Sequence, residues 1–442
     1  MDRRTFLKHT GLAAASFALQ GCTNSFAPRT RAAADKPNIV FIMADDVGQP
    51  VLGCYGGTSY KTPNLDRLAR TGMRFNHCYS SPVCAPSRVK LMTGRYGFRN
   101  YKKWGHIPPD EITFGHLLQS AGYATAIAGK WQMCLQKNDP DHITKMGFQQ
   151  NCVFGWHEGP RYYAPLIYEN GKLRQEPEDK YGPDIFCQFI TDFIKRNKDR
   201  PFLAYYSMAV CHAISNDLPS PPPTGPLGRY QTYKELAEYM DKLIGRLVST
   251  LDELGLRENT LILFTGDNGT PPEFITKFVD GKYVEEPFVS MVAGKPVIGG
   301  KGRLTDAGTR VPLIANWPGI TPAGRVSDDL IDFSDFMPTF VELAGGKLPT
   351  DRVIDGQSFL SQIKGQNGNP REWAYCQDEG DEDRAWVRTR RWKLYRDGRL
   401  YNMENDPLEK SPILPDADNA ENSAVRKELL KVFESLKKGS LH

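Results

Sequence analysis

An α/β fold, a large sheet flanked by helices with a smaller α+β unit appended, is predicted by three observations. Two apolar runs, Asn38–Ala44 and Thr260–Gly266, lack the polar alternation of a half-solvated strand and read as strands buried on both faces. Helical segments at 62–70, 113–120, 185–196 and 233–254 alternate with further apolar runs, the pattern of a sheet covered by helices. From about residue 342 the character changes: stretches at 384–389, 391–395 and 399–403 alternate like antiparallel strands, and a helix at 425–436 closes the chain. A chain of 442 residues accommodates a catalytic domain at 35–344 and a C-terminal subdomain at 345–442, a short antiparallel sheet with a helix.

Residues 1–34 are set apart as a targeting segment. Arg3-Arg4-Thr5-Phe6-Leu7-Lys8 looks like a twin-arginine signal, and the apolar stretch at 11–19 is too short for a mature membrane span. Leu19-Gln20-Gly21-Cys22 is similar to a lipoprotein cleavage box, which would leave Cys22 as a lipidated N-terminus; cleavage near 32–34 is the alternative. The expectation is export by the twin-arginine machinery to the periplasm, or to the bacterial surface as a lipoprotein.

The first strand ends in Asp45-Asp46, which alone would be ordinary turn chemistry. The strand at 260–266 ends likewise, in Asp267-Asn268-Gly269. Ligands of open α/β sheets gather at the carboxyl ends of strands. Two such ends offering three carboxylates and an amide make an all-oxygen cluster, suited to a hard divalent ion and to calcium before magnesium.

Cys84-Ala85-Pro86-Ser87-Arg88 follows a loop at 80–83 and opens a helix, with Pro86 in its first turn. A small buried cysteine is the bland reading. A helix N-terminus, however, presents unpaired N–H groups and a positive dipole end, which favour an anionic ester. Asp-Asp, Cys-x-Pro-Ser-Arg and Asp-Asn-Gly in this order resemble the metal site and maturation signature of the type I, formylglycine-dependent sulfatases, and the likeness runs from about Pro37 to the C-terminal region.

That resemblance implies an alkaline-phosphatase-like mixed sheet and hydrolysis of a sulfate ester, on a carbohydrate for an exported bacterial protein. It implies that a formylglycine-generating enzyme converts Cys84 to Cα-formylglycine, whose hydrate attacks sulfur through one hydroxyl and expels sulfate through the other. With twin-arginine export of folded protein, this step precedes export. Asp45, Asp46, Cys84, Asp267 and Asn268 become calcium ligands. Arg88 holds the hydrated aldehyde, its guanidinium permanently charged and forked. Lys130, after the apolar run 125–128, contacts a sulfate oxygen, and Lys301, among glycines that permit close approach, serves the leaving-group side. His212, after the apolar run 202–211, protonates the leaving oxygen.

One departure stands out. Lys130-Trp131-Gln132 occupies the place of the family's Lys-x-His, and glutamine can hold a hydroxyl but cannot take up its proton. Gln132 and His106 are therefore counted with Lys130, His212 and Lys301 as substrate-binding candidates, and Asp267, His106 and His116 as candidate replacement bases. Two other readings stay open: a phosphate mono- or diesterase, since phosphoryl and sulfuryl groups share shape and in-line displacement, and a non-catalytic surface protein binding sulfated glycans. A net charge of +4 is too near balance to suggest a nucleic-acid partner. The remaining cysteines show no zinc-like or redox pairing. Trp104, Trp156, Tyr162, Tyr163 and Tyr168 are candidates for stacking on sugar rings, and the proline-rich stretch 219–226 for a wall of the site.

Overall fold

The structure, a computed structural model, describes residues 36–214, 218, 220–378 and 381–438. The targeting segment and Cys22 lie outside the described residues. From Pro37 onward the chain packs as one unit. No helix among the described residues is long and apolar enough to cross a membrane.

Among the described residues eighteen strands follow in order: β1 (Asn38–Ala44), β2 (Met73–Tyr79), β3 (Ala124–Gly129), β4 (Gln150–Phe154), β5 (Leu166–Glu169), β6 (Lys172–Gln175), β7 (Phe202–Ser207), β8 (Thr260–Gly266), β9 (Glu273–Val279), β10 (Lys282–Pro287), β11 (Val289–Val292), β12 (Lys295–Ile298), β13 (Arg310–Asn316), β14 (Arg325–Asp332), β15 (Ala374–Asp378), β16 (Asp381–Arg388), β17 (Trp392–Tyr395) and β18 (Leu400–Asn402). Ten form one mixed sheet in the order β14-β2-β13-β8-β1-β7-β3-β4-β5-β6. Its centre, β8-β1-β7-β3-β4, is parallel, while β13 runs antiparallel between β2 and β8.

Both faces of this sheet are covered, which explains the unbroken apolar runs. In β1, Val40 and Ile42 join one core with the helices Pro63–Thr71, Gly182–Arg196 and Tyr233–Glu253; Ile39, Phe41 and Met43 join the other, with Cys84–Thr93, Phe114–Ser120 and Phe336–Leu343. The result is the three-layer α/β architecture expected. The Cys84–Thr93 helix is buried along its whole length and has no solvent face, its Arg88 and Lys90 being paired inside, so no amphipathic period marks it in the sequence.

The C-terminal region forms the antiparallel sheet β15-β16-β17-β18 beside the helix Ala420–Lys438, which is longer than the 425–436 read from periodicity. Buried charges tie this sheet to the segments that carry the site. Lys393 reaches Asp306 at 3.2 Å and Glu409 at 2.9 Å, and Arg388 reaches Asp306 at 2.9 Å. Burial would raise the Asp306 carboxyl, but Arg388 and Lys393 hold it well below the usual carboxylate range. On the helix Cys84–Thr93, Lys90 meets Asp332 at 2.8 Å and the Tyr375 carbonyl at 3.0 Å.

Candidate active site

Register builds the site. Ala44 of β1 pairs with Gly266 of β8, so Asp45 and Asp267 leave the sheet side by side. Met43 and Gly129 both pair with Ser207 of β7, which brings Lys130 to the same edge. Gly129 has φ +105°, and a Cβ there would lie 1.9 Å from the Ser207 carbonyl oxygen. Only glycine permits that approach, through which the Lys130 N–H donates to Ser207 O at 2.7 Å.

The apolar run 202–211 is not one strand: β7 stops at Ser207. The remainder crosses the strand ends, with Met208 N donating to Met43 O at 2.8 Å and Cys211 N to Asp45 O at 2.7 Å, and carries His212 over the edge. The Tyr162 hydroxyl pins this crossing by donating to the His212 carbonyl at 2.6 Å. On the far side, Gly300 and Lys301 N–H groups converge on the Thr270 carbonyl at 2.8 and 2.9 Å. A Cβ on Gly299 would lie 1.9 Å from Pro271 O, so this second close approach also requires glycine.

Three buried carboxylates and their cations interlock. Lys130 Nζ donates to both oxygens of Asp45 at 2.8 Å. Arg88 grips Asp267 Oδ2 through Nε at 3.2 Å and Nη2 at 2.7 Å, and through Nη1 also reaches Ser207 Oγ at 2.5 Å and Lys130 O at 3.2 Å. Lys301 Nζ lies 2.7 Å from Asp46 Oδ1, and Asn268 Nδ2 donates to the same oxygen at 2.8 Å. Asp46 adopts φ 62°, which short polar side chains tolerate, and its backbone N–H donates to Asp267 Oδ1 at 3.1 Å.

These contacts divide the carboxylates. Burial would raise Asp45, but Lys130, then His212 and Arg88, hold it well below the usual range. Asp267 is pushed up to about 6, by burial first and by repulsion from Asp45 second. His212 is driven down to about 3 by burial, then by Lys301 and Arg161. Its Nδ1 lies 2.7 Å from the Ala213 carbonyl, which only accepts, so the neutral ring carries its proton there. The bare Nε2 then faces Asp46 Oδ2 at 3.9 Å.

The donor set fits a hard cation. Ligand atoms of Asp45, Cys84 and Asp267 lie within 4.8 Å of one another, as do those of Asp45, Asp46 and His212. Asn268, next to Asp267 in the chain, has a buried Oδ1 with no hydrogen-bond partner among the described residues, and an orphaned amide oxygen is one a cation would satisfy. Cys84 heads its helix at 3% exposure. All eight described cysteines are free thiols.

Of the residues singled out in the sequence, Asp45, Asp46, Cys84, Arg88, Lys130, His212, Asp267, Asn268 and Lys301 come together. Gln132 is buried close to Lys130 in the chain, at φ 57°, with Oε1 unpartnered among the described residues. His106 is not brought into the carboxylate network by any hydrogen bond or ion pair among the described residues; its neighbour Ile107 donates to Met133 O at 3.1 Å. His116 is committed elsewhere: Nδ1 accepts from Thr113 N at 3.1 Å in a capping box, and Nε2 donates to Lys145 O at 2.6 Å. It therefore cannot act as the replacement base. Trp156, Tyr162 and Tyr168 are buried and Tyr163 is half-buried, whereas Trp104 is 43% exposed and free to stack. Sequence reading missed Ser207, Arg161 and Tyr233, whose hydroxyl donates to Asp46 O at 2.9 Å, and placed Tyr162 only as a stacking residue, not as the group that holds the His212 backbone. They lie on a strand end, in loops and at the first turn of the helix Tyr233–Glu253, with no motif of their own.

The Sulfatase family profile matches residues 37–346, and the profile described as N-sulphoglucosamine sulphohydrolase, C-terminal, matches 300–439. Over 412 residues the chain is 33% identical to N-acetylgalactosamine-6-sulfatase of Canis lupus familiaris, covering 82% of this chain and 74% of that protein. A sulfatase structure described with the metabolism of multiple glycosaminoglycans by Bacteroides thetaiotaomicron superposes with a TM-score of 0.74 at 24% identity, covering 92% of this chain and 100% of that one. Ps i-CgsB in complex with k-i-k-neocarrahexaose gives a TM-score of 0.73 at 25% identity, over 92% and 93% of the two chains.

Proposed function

The chain belongs to the sulfatase family and is a sulfuric ester hydrolase; from that premise we propose that it acts on a carbohydrate sulfate, using a formylglycine made from Cys84 and a calcium ion held by Asp45, Asp46, Asp267, Asn268 and residue 84. The observation that carries the reading is the convergence of Cys84 with Asp45 and Asp267 at one strand edge, beside the unpartnered Asn268 oxygen. A carbohydrate is supported by the relative named N-acetylgalactosamine-6-sulfatase and by the neighbour whose structure contains k-i-k-neocarrahexaose. Export, with or without lipid at Cys22, is part of the same proposal and is supported by Arg3-Arg4 and the apolar stretch after them.

When bound, the aldehyde hydrate and calcium supply a nucleophile with its own exit and a Lewis acid for the sulfate oxygens. The protein's own groups do the rest. Arg88, fixed by Asp267, Ser207 and the Lys130 carbonyl, presents a rigid guanidinium to residue 84. Lys130 and Lys301 neutralise sulfate oxygens from opposite sides of the carboxylates, already oriented by Asp45 and Asp46. Asp45 and Asp267 both lie within 4.8 Å of Cys84, and Asp267, whose carboxyl is pushed up while that of Asp45 is held down, is the one suited to receive a hydroxyl proton. His212 begins neutral with Nε2 bare, so it takes up a proton from solvent as negative charge enters the site and delivers it to the leaving oxygen as the S–O bond breaks.

The reading is tested by comparing kcat/KM on matched sulfate and phosphate esters of one sugar. Sulfate is expected to be preferred; a preference for phosphate would move the protein to the esterase reading. Chelation gives a second expectation. Removing divalent ions abolishes turnover and calcium restores it, and saturation at about 100 times Kd raises unfolding stability by about 2.7 kcal/mol. A full rate after exhaustive chelation would remove the metal from the account.

A third expectation concerns Gln132. Histidine tolerates the φ of 57° at this position better than most residues. Gln132→His would add a second base to assist Asp267 and is expected to raise kcat by about 10-fold or more with little change in KM. An unchanged or lower kcat would mean that Asp267 or another group already performs that proton transfer.

A further inference from the structure

The three motif cations Arg88, Lys130 and Lys301 face three carboxylates, so the motif set balances itself. Arg161 adds a fourth positive charge at the same edge. It follows β4 in the loop beside Lys130, and its side chain is only 7% exposed. The guanidinium lies 4.6 Å above the Phe154 ring. Among the described residues its side chain makes one hydrogen bond, a long one of 3.5 Å from Nη1 to Asp45 Oδ2, an acid whose two oxygens Lys130 already holds at 2.8 Å. A nearly buried guanidinium with most of its donors unspent is costly unless something anionic meets it.

Its position is built, not incidental. Gly182 opens a long helix directly under the loop, and a Cβ there would lie 2.1 Å from the Arg161 carbonyl. Gly182 N donates to Tyr162 O at 2.7 Å, and the Tyr162 hydroxyl in turn holds the His212 carbonyl at 2.6 Å. The same loop therefore fixes the backbone of His212 and delivers Arg161 beside it. Arg161 is close enough that its charge, after burial and Lys301, helps to lower the imidazole.

We propose that Arg161 is a substrate-recognition residue that binds a second anionic group, a carboxylate or a second sulfate, carried by the sugar on the leaving-group side of the scissile bond. This rests on the carbohydrate sulfatase reading above. A guanidinium suits the task because its planar fork matches either oxyanion, and a charged hydrogen bond of this kind sets the scale of about 10- to 100-fold in selectivity.

The test measures kcat/KM on a monosulfated disaccharide, its disulfated counterpart and its uronate-bearing counterpart, for the wild type, Arg161→Ala and Arg161→Lys. The wild type is expected to prefer one of the doubly charged sugars, which identifies the anion. Arg161→Ala is expected to shrink that preference about 10- to 100-fold, mainly through KM, and Arg161→Lys to recover part of it. The proposal is overturned if the wild type shows no preference for a second anion, or if Arg161→Ala lowers all three rates equally, as loss of a framework contact would. Arg161→Gln replaces Arg161→Ala if the smaller residue fails to fold. Should the wild type hydrolyse none of the sugars, the carbohydrate reading has failed; calorimetric binding of the three sugars to Cys84→Ala, with and without Arg161→Gln, still reads the second-anion preference.

Discussion

Cys84→Ala is expected to abolish sulfate ester hydrolysis, by about 10⁴-fold or more, while leaving the fold in place. The side chain heads the buried helix Cys84–Thr93, where alanine is a good first-turn residue, and the change removes one small group. A stability cost near 1 kcal/mol is expected, the ordinary size for a point substitution. The carboxylate network does not depend on the sulfur: Lys130, Arg88 and Lys301 each hold their acids without it. Initial rates and thermal melts of the purified variant separate loss of chemistry from loss of structure. Residual activity near the wild-type level would assign the nucleophile elsewhere.

Arg88→Ala is expected to be damaging in both respects. The guanidinium is 1% exposed, and its bonds to Asp267, Ser207 and the Lys130 carbonyl lock three strand ends together. Without it the Asp267 carboxylate remains buried with its main counter-charge gone, a situation that costs about 3–5 kcal/mol. For a protein of this size each kcal/mol lowers Tm by about 1 °C. Turnover should fall by about 10³-fold, the scale of losing a preorganised donor at a reacting group. Arg88→Lys keeps the charge without the fork and should recover stability better than rate. Combining Arg88→Ala with Asp267→Asn should restore part of the stability and none of the activity, because the buried charge and its partner leave together. A single variant as stable as the wild type would contradict the buried-pair account.

The parts of this site legible in the sequence share one physical signature, a polar residue at the end of an apolar run. Asp45, Asp267 and Lys130 are found that way because buried parallel strands leave unbroken runs and their carboxyl ends are where chemistry collects. Cys84 is legible only through its motif, since a helix buried on all sides shows no periodicity. The antiparallel strand β13 and the hairpins β9-β10 and β11-β12 were not legible; the hairpins are short and largely solvated, and their pairing is set by the neighbours they meet. Arg161 sits in a loop whose course is fixed by Gly182 and Tyr162, contacts invisible before the chain is folded. His116 misled for a similar reason: spacing placed it near the site, and a helix cap claimed both of its nitrogens.

The central claim is that residue 84 acts as an aldehyde and not as a thiol. The mass of the tryptic peptide from Phe75 to Arg88, taken from protein made in its native host or beside a formylglycine-generating enzyme, tests it most directly. The account predicts a peptide lighter than its cysteine form that reacts with a hydrazide probe. An unmodified, alkylatable thiol at position 84 in protein that still hydrolyses sulfate esters would contradict it.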